Sequence, residues 1–423
     1  MKKDQLIEKS YELAKERYAQ VGTDVEKALK TLEKIAISLH CWQADDVAGF
    51  ERPDSKLSGG GIQATGNYPG KARSIDELRK DLEKAYSLIP GKHRFNMHAS
   101  YADFGGKFVD RDAIEPKHFK SWMDWANKIG IKIDFNCTLY SHVMADSGYT
   151  LSSQDKKVRD FWIEHVERCR EISAFIGKQQ KSAVIHNIWI PDGSKDVTVD
   201  RFEHRKILKQ SLDKIFQKKY NPKEMRDSIE SKLFGIGSEY AVVGSHEFYM
   251  GYGFKNNQMI CLDMGHFHPT ESVADKISSI LLFSDELMLH VSRGVRWDSD
   301  HVVIVNDDLT ALMQEIVRGG FINKVNIGLD FFDASINRIG AYVIGTRSTQ
   351  RALLMALLEP TDQIRKFEEK GQNFEKLALM EESKMMPFGA VYDYYCLKAG
   401  VIPGEDYIQE IQQYEKQVTN KRG

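Results

Sequence analysis

Eight short β-rich runs, each separated from the next by a stretch long enough to recross a sheet, constrain this chain more than any other feature. They fall at 35–42, 94–99, 131–139, 183–190, a weaker candidate ending at 229–232, 259–263, 287–291 and 325–330. Helical signals lie between them. Ser74-Ile-Asp-Glu77 is a capping box that opens a helix towards Leu88. Glu115-Pro116 opens another, and Gly130 is its expected stop. Val158, Phe161, Trp162, His165, Val166, Cys169 and Ile172 recur at helical spacing and mark one apolar face. Leu208, Leu212, Ile215 and Phe216 mark a further face, and 270–283 and 308–317 supply the later crossovers.

Parallel strands need crossovers of this length. Eight strand–helix units therefore predict an α/β fold with a closed (β/α)8 TIM barrel. An open doubly wound sheet is the runner-up, but no dinucleotide fingerprint supports it. Gly235-Ile-Gly237 has Tyr240 where the third glycine is required. The expected division is an N-terminal helical extension over 1–34, a barrel over 35–345 and a C-terminal helical extension over 346–423. The loop from Phe50 to Lys71, with Gly59-Gly-Gly61, is long enough to read as a lid or an oligomer contact.

Composition excludes several classes. Of the 423 residues, 42% are apolar and 28% charged, the balance of a globular chain rather than a disordered one. The 59 basic and 61 acidic residues leave a net charge of −2, without the basic excess of a nucleic-acid binder. No segment reaches the roughly 20 apolar residues of a membrane span. The first residues carry no signal-peptide apolar region. The five cysteines are widely spaced with no Cys-x-x-Cys, which argues against a disulfide framework or a thiolate zinc site. The expectation is a cytoplasmic protein with no membrane or nucleic-acid partner.

The chemistry concentrates where the last four strands end, the face on which this fold builds active sites. Glu230 and Lys232 end the fifth strand, Asp263 and His266 the sixth and His290 the seventh. Asp298 and Asp300 follow in the next loop, and Asp330 ends the eighth strand. Five carboxylates and two imidazoles thus converge on one mouth, where several would protonate or bind a cation. An isolated aspartate at a strand end is an ordinary cap, His290 alone an ordinary core histidine, and Lys232 alone a solvated one. Their coincidence at four successive strand ends is what points to metal. Oxygen and imidazole without thiolate suit Mn²⁺, Mg²⁺, Co²⁺ or Zn²⁺. Seven ligands exceed what one ion needs, so two sites per subunit are expected. Asp298 and Asp300, two apart, face one way in extended chain. Lys232 would bring a fixed positive donor to the pocket. Other motifs fail: His246-Glu-Phe-Tyr-Met250 lacks the second zinc-protease histidine, and neither a P-loop nor a nucleophile elbow is present.

Several long motifs carry a family resemblance. They are Ile37-Ser-Leu-His-Cys-Trp-Gln-Ala-Asp-Asp-Val47, Gln63-Ala-Thr-Gly-Asn-Tyr-Pro-Gly70, Leu262-Asp-Met-Gly-His-Phe-His-Pro-Thr-Glu271, Val291-Ser-Arg-Gly-Val-Arg-Trp-Asp-Ser-Asp-His301 and Ile327-Gly-Leu-Asp-Phe-Phe-Asp-Ala-Ser-Ile-Asn337. They resemble the L-rhamnose isomerases, divergent relatives of xylose isomerase. The resemblance implies a cytoplasmic homotetramer that interconverts L-rhamnose and L-rhamnulose in rhamnose catabolism, with Mn²⁺ as the leading metal. It assigns Glu230, Asp263, His290 and Asp330 to a more structural metal. His266, Asp298 and Asp300 go to a catalytic one, with Asp263 near both. Glu230-Ser-Lys232 resembles a Glu-Pro-Lys of xylose isomerase, which places Lys232 at the sugar oxygen on carbon 1. His98 resembles a histidine that assists ring opening, and Trp189 an aromatic that packs against the sugar. Two other readings remain at this point. A metal-dependent phosphoesterase would need more cationic groups than Lys232, with Arg293 and Arg296 as candidates. A non-catalytic sugar-binding protein would not need a complete ligand set.

Overall fold

The computed structural model describes residues 3–51, 66–233, 240–295 and 301–422. Each expected run forms a strand: β1 (Ile37–His40), β2 (His93–His98), β3 (Lys132–Asn136), β4 (Val184–Trp189), β5 (Met225–Glu230), β6 (Met259–Asp263), β7 (Leu287–Val291) and β8 (Val325–Leu329). Neighbours in sequence are neighbours in space, all paired parallel. β8 pairs back onto β1 through Ile37 opposite Ile327, which closes the barrel. The chain is thus a (β/α)8 barrel with additional helices.

The crossover helices are amphipathic for the reasons their sequences give. Ser74 caps the helix Ile75–Ser87 by accepting from the Glu77 amide. The other half of the expected capping box differs: the Glu77 carboxylate accepts from Arg73 N at 2.8 Å, where the Arg73 side chain also pairs with it. Pro116 starts a short 3-10 turn that leads into the helix Lys120–Ile129. Gly130 ends that helix at φ +79°, a left-handed conformation that only glycine adopts without steric cost. In the helix Lys156–Gln180 the stripe Trp162, His165, Val166, Cys169 and Ile172 is buried as its spacing predicts, while Val158 and Phe161 are half-buried.

Two helices, Lys3–Gln20 and Val25–Leu32, precede the barrel. After β8 the chain forms one continuous helix, Arg338–Leu357, and then four more between Thr361 and Gln417. Among the described residues no helix is long and apolar enough to cross a membrane. All five cysteines are buried and unpaired.

Alternation along the strands separates two interiors. Leu39, Phe95, Ile133, Phe135, Ile188, Ile229, Ile260, Leu262 and Leu289 point outward, into the layer shared with the helices. The other parity points into the barrel, where Ile185, Met259, Cys261 and Met288 make a small apolar plug. Above the plug the inward positions turn polar: Asn187, Ser228, Glu230, Asp263 and His290 are all at most 1% exposed. A core that places so many polar groups on the barrel axis is a site rather than a packing solution.

Candidate metal centre

The register explains the convergence. Trp189 lies opposite Glu230 in the β4–β5 ladder, and Asp263 lies opposite His290 in the β6–β7 ladder. All four sit at the C-terminal ends of their strands, and Asp330 directly follows β8. Ligand atoms of Glu230, Asp263, His290 and Asp330 lie within 4.8 Å of one another. Nδ1 of His290 is 3.1 Å from Glu230 Oε1, 3.2 Å from Asp330 Oδ2 and 3.5 Å from Asp263 Oδ2.

Two of these carboxylates are held by their other oxygen. Asn187 Nδ2 donates to Glu230 Oε2, and Ser228 Oγ donates to Asn187 Oδ1 at 2.7 Å. Asp263 Oδ1 accepts from Gly265 N at 2.6 Å and from Ser292 Oγ at 2.8 Å. One oxygen of each is thereby clamped while Glu230 Oε1 and Asp263 Oδ2 are left facing the common centre. Among the described residues, Asp263 Oδ2 is buried without a hydrogen bond. A buried carboxylate oxygen in that condition is costly unless a cation meets it. Oxygen-rich donors with one imidazole, oriented by an outer layer of hydrogen bonds, fit a hard or borderline divalent ion.

The electrostatics agree with that fit. Burial opposes ionisation of Glu230, yet His290 and His266 hold its carboxyl well below the usual range. Burial would depress the His290 imidazole, but the negative groups around it raise it well above its ordinary value. The cluster therefore recruits positive charge to its centre. Cys261 Sγ also lies within 4.8 Å of ligand atoms of Glu230 and His290. Burial pushes that thiol far up, and a soft thiol is the odd member beside hard carboxylate oxygens.

His266 Nδ1 is 3.3 Å from Glu230 Oε1, and its ring stacks on Trp189 with centroids 6.2 Å apart. Lys232 is 4% exposed, with Nζ 4.7 Å from the centre of the Trp189 ring. His98, on the inward face at the end of β2, packs its ring 4.3 Å from that of Trp42. Burial lowers it to about 3, so it is a neutral imidazole. The structure thus brings together Glu230, Asp263, His266, His290 and Asp330, with Lys232 beside Trp189. Asp298 and Asp300 lie outside the described residues, as do Gly59-Gly-Gly61 and Gly235-Ile-Gly237. His268 is exposed and bonds within its own turn to Thr270.

Sequence reasoning passed over Asn187, Ser228 and Ser292. Neutral polar residues carry no motif, and only strand parity combined with barrel closure could have found them. Asn187→Ala is expected to weaken divalent-metal affinity by about 10- to 100-fold, the usual effect of removing a partner behind a ligand. Calorimetric titration of the metal-free protein measures this, and wild-type affinity would show that Asn187 does not orient Glu230.

The L-rhamnose isomerase (RhaA) family model matches residues 5–422. The chain belongs to the L-rhamnose isomerase family. An L-rhamnose isomerase of Bacteroides thetaiotaomicron is 58% identical over 422 residues, covering 100% of both chains. Those of Rhodopirellula baltica and Listeria innocua are 54% and 55% identical over 416 residues. They cover 98% of this chain and 97% and 99% of the respective relatives. Membership makes the protein an isomerase and supports exchange between the aldose and ketose forms of rhamnose. It leaves the phosphoesterase reading without support. The candidate metal centre occupies the face on which the barrel fold builds its active sites.

Proposed function

We propose that the protein interconverts L-rhamnose and L-rhamnulose in rhamnose catabolism with the help of divalent metal, by moving a hydrogen between carbons 1 and 2 of the open-chain sugar. The observation that carries the metal dependence is the convergence of Glu230, Asp263, His290 and Asp330 around a buried carboxylate oxygen that accepts no hydrogen bond among the described residues. These four would hold the more structural ion. His266, Asp298 and Asp300, with Asp263 shared, would hold the catalytic one. Mn²⁺ is the leading candidate. When bound, a divalent cation supplies Lewis acidity to the oxygens on carbons 1 and 2.

The chain's own residues do the rest. Lys232 presents a fixed ammonium to the oxygen on carbon 1, where negative charge develops as the hydrogen moves. Trp189 gives the sugar an apolar wall and holds Lys232 by its ring face. His98 meets the cyclic sugar and assists its opening. The homotetrameric and cytoplasmic setting belongs to the same reading and is carried by the family resemblance.

The deciding experiment is a ketose assay with L-rhamnose on protein stripped by chelator and then reloaded with Mn²⁺. The stripped protein is expected to lose essentially all turnover and the reloaded protein to regain it. Undiminished ketose formation after complete metal removal would refute the metal dependence.

A further inference from the structure

His98 has two ring nitrogens, and the structure treats them differently. Nδ1 lies 3.0 Å from the hydroxyl of Tyr140. Nε2 is buried and has no hydrogen-bond partner among the described residues. The direction of the first bond decides what the second nitrogen can do. A phenol has one hydrogen to donate, and a neutral imidazole has one donor and one acceptor nitrogen. Among the described residues, His98 Nδ1 is the one hydrogen-bond partner of the Tyr140 hydroxyl. Either direction leaves one buried hydrogen without an acceptor among the described residues, on the phenol or on Nε2. But a phenol is a stronger donor than a neutral imidazole, and the imidazole nitrogen a stronger acceptor than the phenol oxygen, so the pair is most stable with the hydroxyl donating. Tyr140 therefore donates, Nδ1 accepts, and the proton sits on Nε2.

The backbone around Tyr140 is built for this purpose at some conformational cost. Thr138 and Ser141, flanking it, both adopt φ +53°. A β-branched threonine in the left-handed region is a genuine outlier. Such outliers persist where the surroundings over-determine them, and they cluster at functional sites. Here the surroundings are Arg111, which is 1% exposed. Its Nη1 donates to the carbonyls of Thr138 at 2.7 Å and Tyr140 at 2.5 Å. Its Nη2 donates to the Ser141 carbonyl at 3.3 Å and to Glu51 Oε1 at 2.6 Å. A buried guanidinium thus holds the carbonyls of Thr138, Tyr140 and Ser141 in the segment after β3. The Tyr140 ring is fixed further by an edge-on contact with Trp189, centroids 5.6 Å apart.

We propose that Tyr140 is the positioning residue of His98: its hydroxyl fixes the imidazole with the proton on Nε2, so that His98 meets the sugar as a hydrogen-bond donor. The acceptor this suits is an oxygen of the cyclic sugar. The donor role rests on the reading that His98 faces substrate, whereas the hydrogen-bond direction does not.

The test uses full-length enzyme labelled with ¹⁵N-histidine and loaded with diamagnetic Mg²⁺, with His98→Gln identifying the His98 resonances. The wild type is expected to show the proton on Nε2, and Tyr140→Phe to show a mixture of tautomers. In parallel, kcat/KM for L-rhamnose is expected to fall about tenfold in Tyr140→Phe, the scale of one neutral hydrogen bond. The same change should cost nothing further in the His98→Gln background. A wild-type proton on Nδ1, or a tautomer indifferent to Tyr140→Phe, would overturn the proposal. So would an equal kinetic loss in the His98→Gln background. Full activity of His98→Gln itself would instead overturn the reading that His98 meets the sugar.

Discussion

Glu230→Gln is expected to lower kcat/KM by about a thousandfold, on the order of 4 kcal/mol, the range found when one partner of a buried charge cluster is removed. The argument is geometric. Glu230 Oε2 accepts from Asn187, and Oε1 faces the centre shared with Asp263, His290 and Asp330. Glutamine keeps the shape but splits the two positions between an oxygen and an amide nitrogen. If its oxygen takes the Asn187 hydrogen bond, the NH₂ group points at the centre and presents hydrogens where a cation needs a lone pair. If it turns over, the NH₂ group of the introduced glutamine opposes that of Asn187. Neither orientation restores the site. Burial works against the native carboxylate, and His290 and His266 nevertheless hold it below the ordinary carboxylate range. Metal content by elemental analysis, together with ketose assays across Mn²⁺ concentration, checks this. Native metal content and near-native turnover at limiting Mn²⁺ would remove Glu230 from the ligand set.

How much of this was legible beforehand follows from which signals hydrophobic pattern carries. β6 and β7 coincide with their predicted runs because each is an apolar run interrupted by a single polar residue, Asp263 and His290. The run at 131–139 is shorter as a strand, ending at Asn136, because Thr138 turns left-handed. That turn delivers Tyr140 to His98, and no periodicity announces it. β5 was the weak candidate because Arg226, Asp227 and Ser228 interrupt its apolar character. The structure gives each a partner: Glu286 for Arg226, Arg170 for Asp227 and Asn187 for Ser228. Charged candidates at strand ends could be ranked by their chemistry alone. Arg111 could not, since its significance lies in carbonyls near in space and about 30 residues away in sequence.

Lys232→Met is expected to cut kcat by about 10²- to 10³-fold, the scale for losing a preorganised donor at developing negative charge. Metal content should stay native, which separates this variant from Glu230→Gln. Lys232 lies two residues beyond Glu230 and is 4% exposed, with its ammonium against the face of Trp189. A structural role predicts a different outcome. If the lysine served only to pack against the indole, methionine, similar in length and favourable against an aromatic ring, would replace it with little effect on turnover. If the charge serves the reaction, the loss appears in kcat, because the interaction strengthens only as negative charge builds on the sugar oxygen. KM for L-rhamnose should then change little. Lys232→Arg offers a second arm: it keeps the charge but spreads it over a planar group on a different reach, so partial activity between wild type and methionine is expected. Turnover near wild type in Lys232→Met, with Trp189 fluorescence unchanged, would assign the lysine to packing and leave the carbon 1 oxygen to other groups.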